Sequence, residues 1–442
     1  MLIRLMYRIY RALRRPVRLL QRRLTPAGGF VLVGMFLAVT ASNPEHTMGL
    51  QVFVVLAAML GVAVVMTAFF RMRFNIDRHV PRFVTAGESF VLRVRVRNLT
   101  PKVQRGLEYL EDVRDQPVTL QEFEARLRPG RGNRSFRLEG PVASIRTARA
   151  RLQSLPELPA RGLSEVRLEI MPYRRGPLLL AGGMVARGDP FGLVRALSRV
   201  SSPHTVLVLP RRYPLPPLAL PGQSHYQRGG VAMASGVGES EEFVALREYR
   251  RGDSLRRVHW RSAARLGALV VKEFQDEFFY RHALVLDTFC EPSRDLLFEE
   301  AVAVAASFAS TVPNQESLLD LLFVGPKTVC VTSGRGVGHS RQMLEVLAAV
   351  KPCREPRLEE LEALVLQHSV ALSGCLLVLM EWDEPRRALV RRLKALRLPT
   401  LVMLMVPRGH TVDPGRPEDQ PDQLLVLESG SVGEGLQRLG VA

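Results

Sequence analysis

The feature that most constrains this 442-residue chain is a stretch of 23 residues without a charged side chain, from Met48 to Phe70. A helix of that length covers the roughly 30 Å hydrocarbon core of a bilayer. Residues 28–42 are also apolar but form a shorter run, and a polar turn at residues 43–47 joins the two. A signal-peptide core is the alternative for the first run, but no cleavage pattern follows it. The pattern predicts a two-helix transmembrane hairpin over residues 25–73.

Arginines flank this predicted hairpin. Eight arginines and no acidic residue lie within residues 1–23, Arg71 and Arg73 follow the second span, and the turn contains no Lys or Arg. The positive-inside rule therefore predicts a two-pass protein of the inner (plasma) membrane with both termini in the cytoplasm. Apolar residues recur at helical spacing among the arginines. The basic N-terminal segment, residues 1–24, is thus either a helix lying on anionic lipid or only a topogenic flank.

Composition excludes several classes of function. The net charge is +18, of which the N-terminal arginines supply eight, and the remaining excess is spread along the chain. A diffuse excess does not predict nucleic-acid binding, which needs a clustered basic face. The four cysteines form no CxxC pair, so we expect small buried core residues rather than a zinc site. No P-loop, HExxH or GxSxG motif occurs, so neither an enzyme nor a small-molecule site is predicted.

The middle of the chain has the period of β-strands. Residues 90–98 alternate apolar and basic side chains, as a half-exposed strand does, and short apolar runs bounded by Gly or Pro follow. We predict a small β-sandwich-like domain over residues 76–212, serving as a spacer or interaction module. Residues 174–177 (RRGP) and 188–193 (GDPFGL) are turn-forming stretches within it. Residues 213–238 are rich in Pro, Gly, Ser and Gln and predict a linker.

Residues 239–280 form a dense charged motif. Asp253 is a natural N-cap and Gly267 a natural C′ residue, which predicts a helix from Ser254 to Leu266. Leu255, Val258, Ala263 and Trp260 would then pack inward, and Arg257, Arg261 and Arg265 would form one basic ridge. The ridge is either a partner-recognition surface or part of an internal salt-bridge lattice with Glu248, Glu273, Asp276 or Glu277; we favour recognition. The predicted partner-binding residues are Arg247, Glu248, Tyr249, Gly252, Asp253, Arg256, Arg257, Trp260, Arg261 and Arg265.

This motif carries a family resemblance. The stretch LREYRRGDSLRRVHWRSAAR at residues 246–265, with RRGPLLL at 174–180 and GDPFGL at 188–193, resembles domain-of-unknown-function family 58 (DUF58). The resemblance implies a membrane protein whose motif leads into a von Willebrand factor A-like domain. It also implies that MoxR-type AAA+ ATPases and transglutaminase-like proteins are often encoded by neighbouring genes. His259 departs from the family, which usually has Asp before the Trp, and the change removes an acceptor for the neighbouring arginines.

The C-terminal region, residues 281–442, alternates apolar runs with helical segments. This alternation predicts an open α/β, Rossmann-like sheet, with a hairpin at Gly325–Pro326 that gives one antiparallel edge strand. Von Willebrand A domains usually bind a divalent cation through an Asp-x-Ser-x-Ser loop after the first strand. Here both serines are lost, because Phe289 and Glu291 occupy their positions with Cys290 between them. Asp287 and Glu291 remain the candidate ligands for Mg²⁺, but we expect no metal and no cofactor.

The sequence as a whole predicts a multi-domain, membrane-anchored scaffold or adaptor that faces the cytoplasm, contacts membrane lipid and binds a protein partner. The resemblance, rather than any residue, indicates an AAA+ ATPase as that partner. Two alternatives stay open. One is a metal-dependent binding protein, and the other is an accessory to a transglutaminase-like enzyme of the cell envelope.

Overall fold

The chain forms two compact units, residues 1–209 and 210–442, in a mixed α/β architecture. The multi-domain character expected from the sequence is confirmed. The computed structural model describes residues 2–40, 48–70, 72–114, 127–129, 136–138, 147–217, 242–253, 255, 258–275, 280–291, 294–312, 317–334, 337–355, 357–413 and 415–440. The polar turn at residues 43–47 lies outside these.

Three helices open the first unit: α1 (Leu2–Arg23), α2 (Pro26–Thr40) and α3 (Met48–Phe69). Helix α3 is the one helix in the described part of the chain that is long and apolar enough to cross a membrane. Helix α2 has 15 residues, and its length of about 22 Å is shorter than the hydrocarbon core. The two helices pack together, and a Cβ at Gly34 would lie 3.3 Å from Leu56 Cδ1. One apolar helix therefore suggests a membrane anchor.

Two β-sheets follow and share one hydrophobic core. In β3, Leu92, Val94 and Val96 are buried while the arginines between them are exposed, because successive strand residues point to opposite faces. The sheet orders are β1-β3-β9-β7 and β2-β11-β10-β4-β8, antiparallel except for the parallel pair β2/β11. The strands are β1 (Phe74–His79), β2 (Phe83–Thr85), β3 (Phe90–Asn98), β4 (Leu107–Arg114), β5 (Leu127–Pro129), β6 (Phe136–Leu138), β7 (Ala148–Ala150), β8 (Gln153–Ser154), β9 (Leu163–Pro172), β10 (Gly176–Gly188) and β11 (Arg195–Leu209).

A buried polar network lies inside this two-sheet core. Arg78 and Glu111, both with fully buried side chains, form an ion pair. The Tyr109 hydroxyl donates a hydrogen bond of 2.6 Å to the Glu111 carboxylate, and Arg78 Nη2 lies 3.0 Å from His204 Nδ1. A Cβ at Gly183 would lie 2.4 Å from the Tyr109 hydroxyl, so glycine is needed for this close approach. Burial raises the pKa of Glu111 above its ordinary value, although Tyr109 and Arg78 oppose the shift.

The GDPFGL stretch forms the turn between β10 and β11, as its residues predict. Asp189 is buried, and its carboxylate accepts hydrogen bonds from the backbone N–H groups of Phe191 (2.9 Å), Leu193 (2.7 Å) and Val194 (2.6 Å). Leu193 and Val194 in turn pack against Ala63 of helix α3. The turn is therefore a rigid element in contact with the apolar helices.

Asp189→Ala is expected to destabilise this turn by about 2–3 kcal/mol, because it leaves buried N–H groups without their charged acceptor. Hydrogen–deuterium exchange of the full chain should then show faster exchange across residues 188–194. Asp77→Ala, which removes an exposed carboxylate from strand β1, is the matched control and should leave that segment unchanged. Equal exchange in the two variants would contradict the assigned role of Asp189.

The second unit contains a six-stranded sheet of order β16-β15-β14-β17-β18-β19. All neighbours are parallel except β15 and β16, which form the predicted antiparallel edge. Strands β12 and β13 pair separately. The elements are β12 (Glu242–Glu248), α4 (Trp260–Leu266), β13 (Val270–Gln275), β14 (Tyr280–Leu286), α5 (Asp295–Thr311), β15 (Ser317–Val324), β16 (Thr328–Ser333), α6 (Val337–Ala349), α7 (Leu358–His368), β17 (Gly374–Leu379), α8 (Glu384–Ala395), β18 (Thr400–Val406), β19 (Gln423–Glu428) and α9 (Val432–Gln437), with 3₁₀ turns at Ser369–Ala371 and Arg438–Gly440.

Two sequence predictions are corrected here. The start of the predicted linker belongs to the second unit, because Tyr213 N donates to Ser307 Oγ at 2.8 Å and Gln437 Nε2 donates to Pro214 O at 2.9 Å. Residues 218–238 of that linker lie outside the described residues. The prediction that all four cysteines are buried is right for Cys290 and Cys375, but Cys353 is only half-buried and Cys330 is exposed on the edge strand β16.

Candidate functional site

The charged motif folds as a two-stranded hairpin with a long structured connection. Strands β12 and β13 pair antiparallel, with Glu248 opposite Val270. The connection returns to β13 at Val258, which is buried and forms a bridge with Val271. The backbone N–H of His259 donates to Val270 O at 2.8 Å. Backbone pairing therefore holds this part of the motif to its own hairpin.

The first half of the connection is closed by an ion pair. Arg247 binds the Asp253 carboxylate with two hydrogen bonds, Nη1 to Oδ2 at 2.7 Å and Nη2 to Oδ1 at 2.8 Å. The backbone N–H of Arg250 also donates to Asp253 Oδ2, at 2.8 Å. Gly252 has a φ of +111° within this turn, a value that glycine adopts without strain. The prediction that Asp253 caps a helix is wrong, because its carboxylate closes the turn instead.

The Asp253 carboxyl is expected to stay ionised far below its usual range. Its hydrogen bonds from Arg247 and from the Arg250 amide lower its pKa from 3.8 to about 2. A depressed pKa in the folded state stabilises the turn above pH 3.8, and this contribution is lost as the pH falls towards 2. The ¹³C shift of the Asp253 carboxyl, assigned with Asp253→Asn, measures this titration. A midpoint at 3.8 would contradict the bidentate pair.

The helix of the motif is shorter than the sequence predicts. It runs from Trp260 to Leu266, not from Ser254, because Val258 is bridged to Val271 and the His259 N–H is bound to Val270 O, so both residues pair with strand β13. Its end at Gly267, with a φ of +66°, is as predicted. Arg261 and Arg265 lie one turn apart on the helix and are exposed. Helix α4 carries Arg261 and Arg265 of the predicted three-arginine ridge, while Arg256 and Arg257 lie outside the described residues.

Helix α4 presents its large side chains to solvent. None of its residues is buried, and Trp260 and Leu266 are 64% and 69% exposed. Leu255 before the helix is 61% exposed, so of the four residues predicted to pack inward only Val258 is buried. His259 Nδ1 lies 2.7 Å from Ser262 Oγ. An exposed tryptophan therefore lies beside two exposed arginines.

The predicted partner-binding residues are thus divided between two places. Arg247, Gly252 and Asp253 build the closed turn, with Glu248 exposed and Tyr249 half-buried beside it. Trp260, Arg261 and Arg265 lie on α4. The predicted salt-bridge lattice would need the side chain of Glu273 and residues Asp276 and Glu277, which lie outside the described part of the chain.

A second charged centre lies where the parallel strands end. Asp287 follows β14 and is fully buried. Its Oδ1 accepts the Phe289 N–H at 3.0 Å, and its Oδ2 accepts Arg386 Nε at 2.7 Å and the Met380 N–H at 3.2 Å. Both carboxylate oxygens are therefore engaged by groups of the chain itself.

Arg386 supplies the counter-ion at this centre. It lies in the first turn of α8, and its Nη1 donates to Asp383 Oδ2 at 2.7 Å and lies 3.5 Å from Glu381 Oε2. Burial alone would lower the pKa of Arg386, but the carboxylates of Asp287 and Asp383 raise it above the ordinary value. The guanidinium therefore remains charged inside the protein.

These residues do not fit a divalent cation. The Arg386 guanidinium lies against the carboxylate that a metal would need, and Phe289 offers no ligand. Burial raises the pKa of the Cys290 thiol to about 12, so it stays protonated and does not ligate. Among the described residues, no group of three or more His, Cys, Asp or Glu could hold a metal ion. The candidate ligand Asp287 is instead committed to Arg386, and Glu291 lies exposed beside it.

Mg²⁺ is accordingly expected to leave the protein unchanged. Isothermal titration of the full chain should give no heat above dilution, and neither Mg²⁺ nor a chelator should shift its melting temperature. A saturable signal that Asp287→Ala abolishes would contradict this prediction.

The comparison with protein families bears on this same region. Residues 245–396 match the model of "Protein of unknown function DUF58". The match starts in strand β12 and ends just after helix α8, so it includes the closed turn, α4, Asp287 and Arg386. The chain is also 27% identical over 168 residues to "Uncharacterized protein YeaD" of Bacillus subtilis (strain 168). The alignment covers 37% of this chain and spans 40% of the length of that relative.

Solved structures give only distant likenesses. Manganese-loaded Plasmodium vivax TRAP protein is 12% identical with a TM-score of 0.26, covering 37% of this chain and 73% of that one. Proximal thread matrix protein 1 from the mussel byssus is 12% identical with a TM-score of 0.27, covering 37% and 47%. A cohesin module from Clostridium perfringens ATCC13124 is 15% identical with a TM-score of 0.17, covering 31% and 98%. At TM-scores this low, none of these likenesses supports an assignment of fold or function.

Proposed function

We propose that this chain is a membrane-anchored scaffold or adaptor that binds a protein partner through helix α4 and its flanks. The apolar helices α2 and α3 are the anchor, crossing as a two-pass hairpin with both termini in the cytoplasm. Support for the anchor comes from the length and composition of α3 and from the arginines that flank the apolar segment.

The observation that carries the proposal is the exposure of α4. A helix of seven residues with no buried side chain gains nothing from the core of its own unit, so packing within the unit does not explain its apolar residues. Tryptophan and arginine are the residues most enriched at the energetic centres of protein interfaces. Trp260 beside Arg261 and Arg265 has that composition, and the exposed Leu255 and Leu266 extend the apolar surface.

The closed turn next to α4 supports the same proposal. Arg247 and Asp253 neutralise one another and fix the connection before the helix, so little conformational entropy would be lost on binding. Arg261 and Arg265 are left to meet carboxylates of a partner, because no described acidic side chain forms an ion pair with either of them. The proposed partner surface is therefore acidic around an apolar pocket that accepts Trp260.

The α/β sheet fits a von Willebrand A-like domain in its topology, and we propose that assignment. Supporting it are the parallel sheet with a single antiparallel edge strand and the almost fully buried helix α5, which follows β14. In the proposed role this domain supports the charged motif and binds no metal ion. The MoxR-type AAA+ ATPase remains the proposed partner on the strength of the family resemblance alone.

The test uses the full chain in detergent and a purified MoxR-type AAA+ ATPase from the same organism. Binding is measured by biolayer interferometry for the wild type and for Trp260→Ala, Leu266→Glu and Arg261→Glu/Arg265→Glu. Removing an interface tryptophan costs about 2 kcal/mol or more, so each change is expected to weaken binding at least about tenfold.

Val370→Glu is the matched control for Leu266→Glu, because Val370 is an even more exposed apolar residue of the same unit, outside the motif. It should bind like the wild type. Unchanged affinity of the α4 variants would remove this surface from the proposal, and an absence of binding by the wild type would remove the ATPase.

Orientation separates this proposal from the envelope-accessory alternative. A cytoplasmic location predicts that protease digests the soluble region in inverted membrane vesicles but not in intact spheroplasts. The opposite protection pattern would place that region outside the cytoplasm and favour the accessory to a transglutaminase-like enzyme.

A further inference from the structure

Helix α1 is amphipathic, with an apolar face that nothing described covers along most of its length. Leu5 and Leu20 are 54% and 52% exposed, and Ile9 and Val17 are similarly accessible. Arg4, Arg8 and Arg11 lie on the opposite side of the helix by their spacing. The first 23 residues contain no acidic side chain that could neutralise these arginines within the helix. The helix therefore offers one apolar and one strongly basic face.

The C-terminal end of α1 is fixed to the two-sheet core of its unit. Arg22 Nη2 donates to the buried Asp112 carboxylate at 2.6 Å. Leu24 forms a backbone bridge with Val194, and Leu24 O accepts Arg195 Nη1 at 3.4 Å. The end of the helix thus has a defined position against this core.

The GDPFGL turn holds the junction between α1 and α2. Leu193 O accepts the Thr25 N–H at 3.0 Å and the Thr25 hydroxyl at 3.0 Å, and that hydroxyl accepts the Gly28 N–H at 3.0 Å. A Cβ at Gly28 would lie 2.2 Å from Leu193 O, so only glycine fits at this contact. The amphipathic helix α1 therefore ends at the junction where the apolar helix α2 begins.

This junction also contacts the apolar helices from the side. Leu193 and Val194 share a small hydrophobic cluster with Ala63, and Val31 and Met59 pack against it. Phe191, at the tip of the turn, is half exposed. If α3 crosses a bilayer, the turn and the start of α2 lie at its surface, because α2 is apolar from its first turn.

We infer that α1 lies in the membrane surface and binds anionic phospholipid headgroups, with Leu5, Ile9, Val17 and Leu20 in the acyl-chain boundary. The arginines match the negative charge of such headgroups, and the exposed apolar face matches the hydrocarbon beneath them. Nucleic acid would use the arginines but leave the apolar face in water. The inference rests on the membrane anchor of the proposed function.

The test uses the full chain in nanodiscs of phosphatidylcholine alone and of phosphatidylcholine with phosphatidylglycerol. Hydrogen–deuterium exchange of residues 2–20 is expected to slow about tenfold or more with the anionic lipid and to rise again at high salt, as for other basic interfacial helices. Arg4→Gln/Arg8→Gln/Arg11→Gln should lose this protection, and so should Leu5→Ser/Ile9→Ser.

The matched control is Arg93→Gln/Arg95→Gln/Arg97→Gln, which removes the same charge from the exposed face of strand β3 in the same unit. In this variant the hydrogen–deuterium exchange of α1 should still slow with the anionic lipid. Equal exchange of α1 in both lipids, or an unaltered Arg4/Arg8/Arg11 variant, would overturn the inference while leaving the anchor intact. Extraction of the wild-type chain from liposomes by alkaline carbonate would contradict the anchor itself, and the inference would fall with it.

Discussion

Replacing Arg386 with methionine is expected to lower the free energy of unfolding of residues 210–442 by about 3–5 kcal/mol. The reason is that the fully buried Asp287 carboxylate would lose its counter-ion and keep only two backbone N–H donors. Both tryptophans of the chain lie in this unit. In a Trp260→Phe background, the fluorescence of Trp382, which lies in the loop before Arg386, therefore reports denaturant unfolding of the full chain in detergent.

Two further variants make this result specific. Asp287→Asn combined with Arg386→Met removes both charges and is expected to recover much of the loss, since an uncompensated charge is the main cost. Arg357→Met removes an exposed arginine that pairs with Glu355, and no measurable change is expected. If Arg386→Met unfolded at the same denaturant concentration as the wild type, the buried pair would not have the importance assigned to it.

Glu111→Ala is expected to lower the stability of the first unit by a similar amount, about 3–5 kcal/mol. Arg78 would then be a fully buried cation without a carboxylate, and the Tyr109 hydroxyl would lose its acceptor. The tryptophans do not report on this unit, so hydrogen–deuterium exchange is the measurement. Amides of strands β1, β4 and β10 should exchange through global unfolding at a correspondingly higher rate.

Glu165→Ala is the matched control, because Glu165 is an exposed carboxylate whose nearest contact with Arg95 is 3.8 Å. It should change the stability by less than about 1 kcal/mol. Replacing Arg78 and Glu111 together by methionine tests the cause, since a well-packed apolar pair can restore stability. A double variant as unstable as Glu111→Ala would show that packing, rather than the unpaired charge, is responsible.

Local patterns explain why much of the fold could be predicted from the sequence. The alternation in β3 reports directly which face meets the core, and the Gly325–Pro326 turn predicts an antiparallel edge because the chain must reverse there. The uncharged run from Met48 likewise predicts α3, since an apolar segment of that length has few other structures open to it. Each of these signals is complete within about twenty residues.

The charged motif shows where such reasoning fails. Asp253 and Gly267 satisfy the rules for the two ends of a helix, yet Val258 forms a bridge with Val271 and the helix begins only at Trp260. That bridge depends on the position of strand β13, which no local rule contains. Of the arginines predicted as one ridge, Arg261 and Arg265 lie on a short exposed helix, and Arg257 lies outside the described residues.

The centre at Asp287 was missed for a different reason. Its partner Arg386 is 99 residues further along the chain, and parallel strands bring the two together only once the sheet has formed. One signal was present: the loss of both serines after Asp287 leaves a buried carboxylate that needs some other cation. Asp383 before Pro385 marked the start of α8, and the arginine next in line was the available donor.

The pairing of Asp287 with Arg386 also limits how this protein can be controlled. The counter-ion of Asp287 is a side chain of the same protein, so it cannot be diluted or exchanged as a bound metal ion can. The net charge at this edge of the sheet is therefore independent of the concentration of divalent ions. A change in the charge at this edge would require the binding of a partner or a movement of helix α8, which carries Arg386.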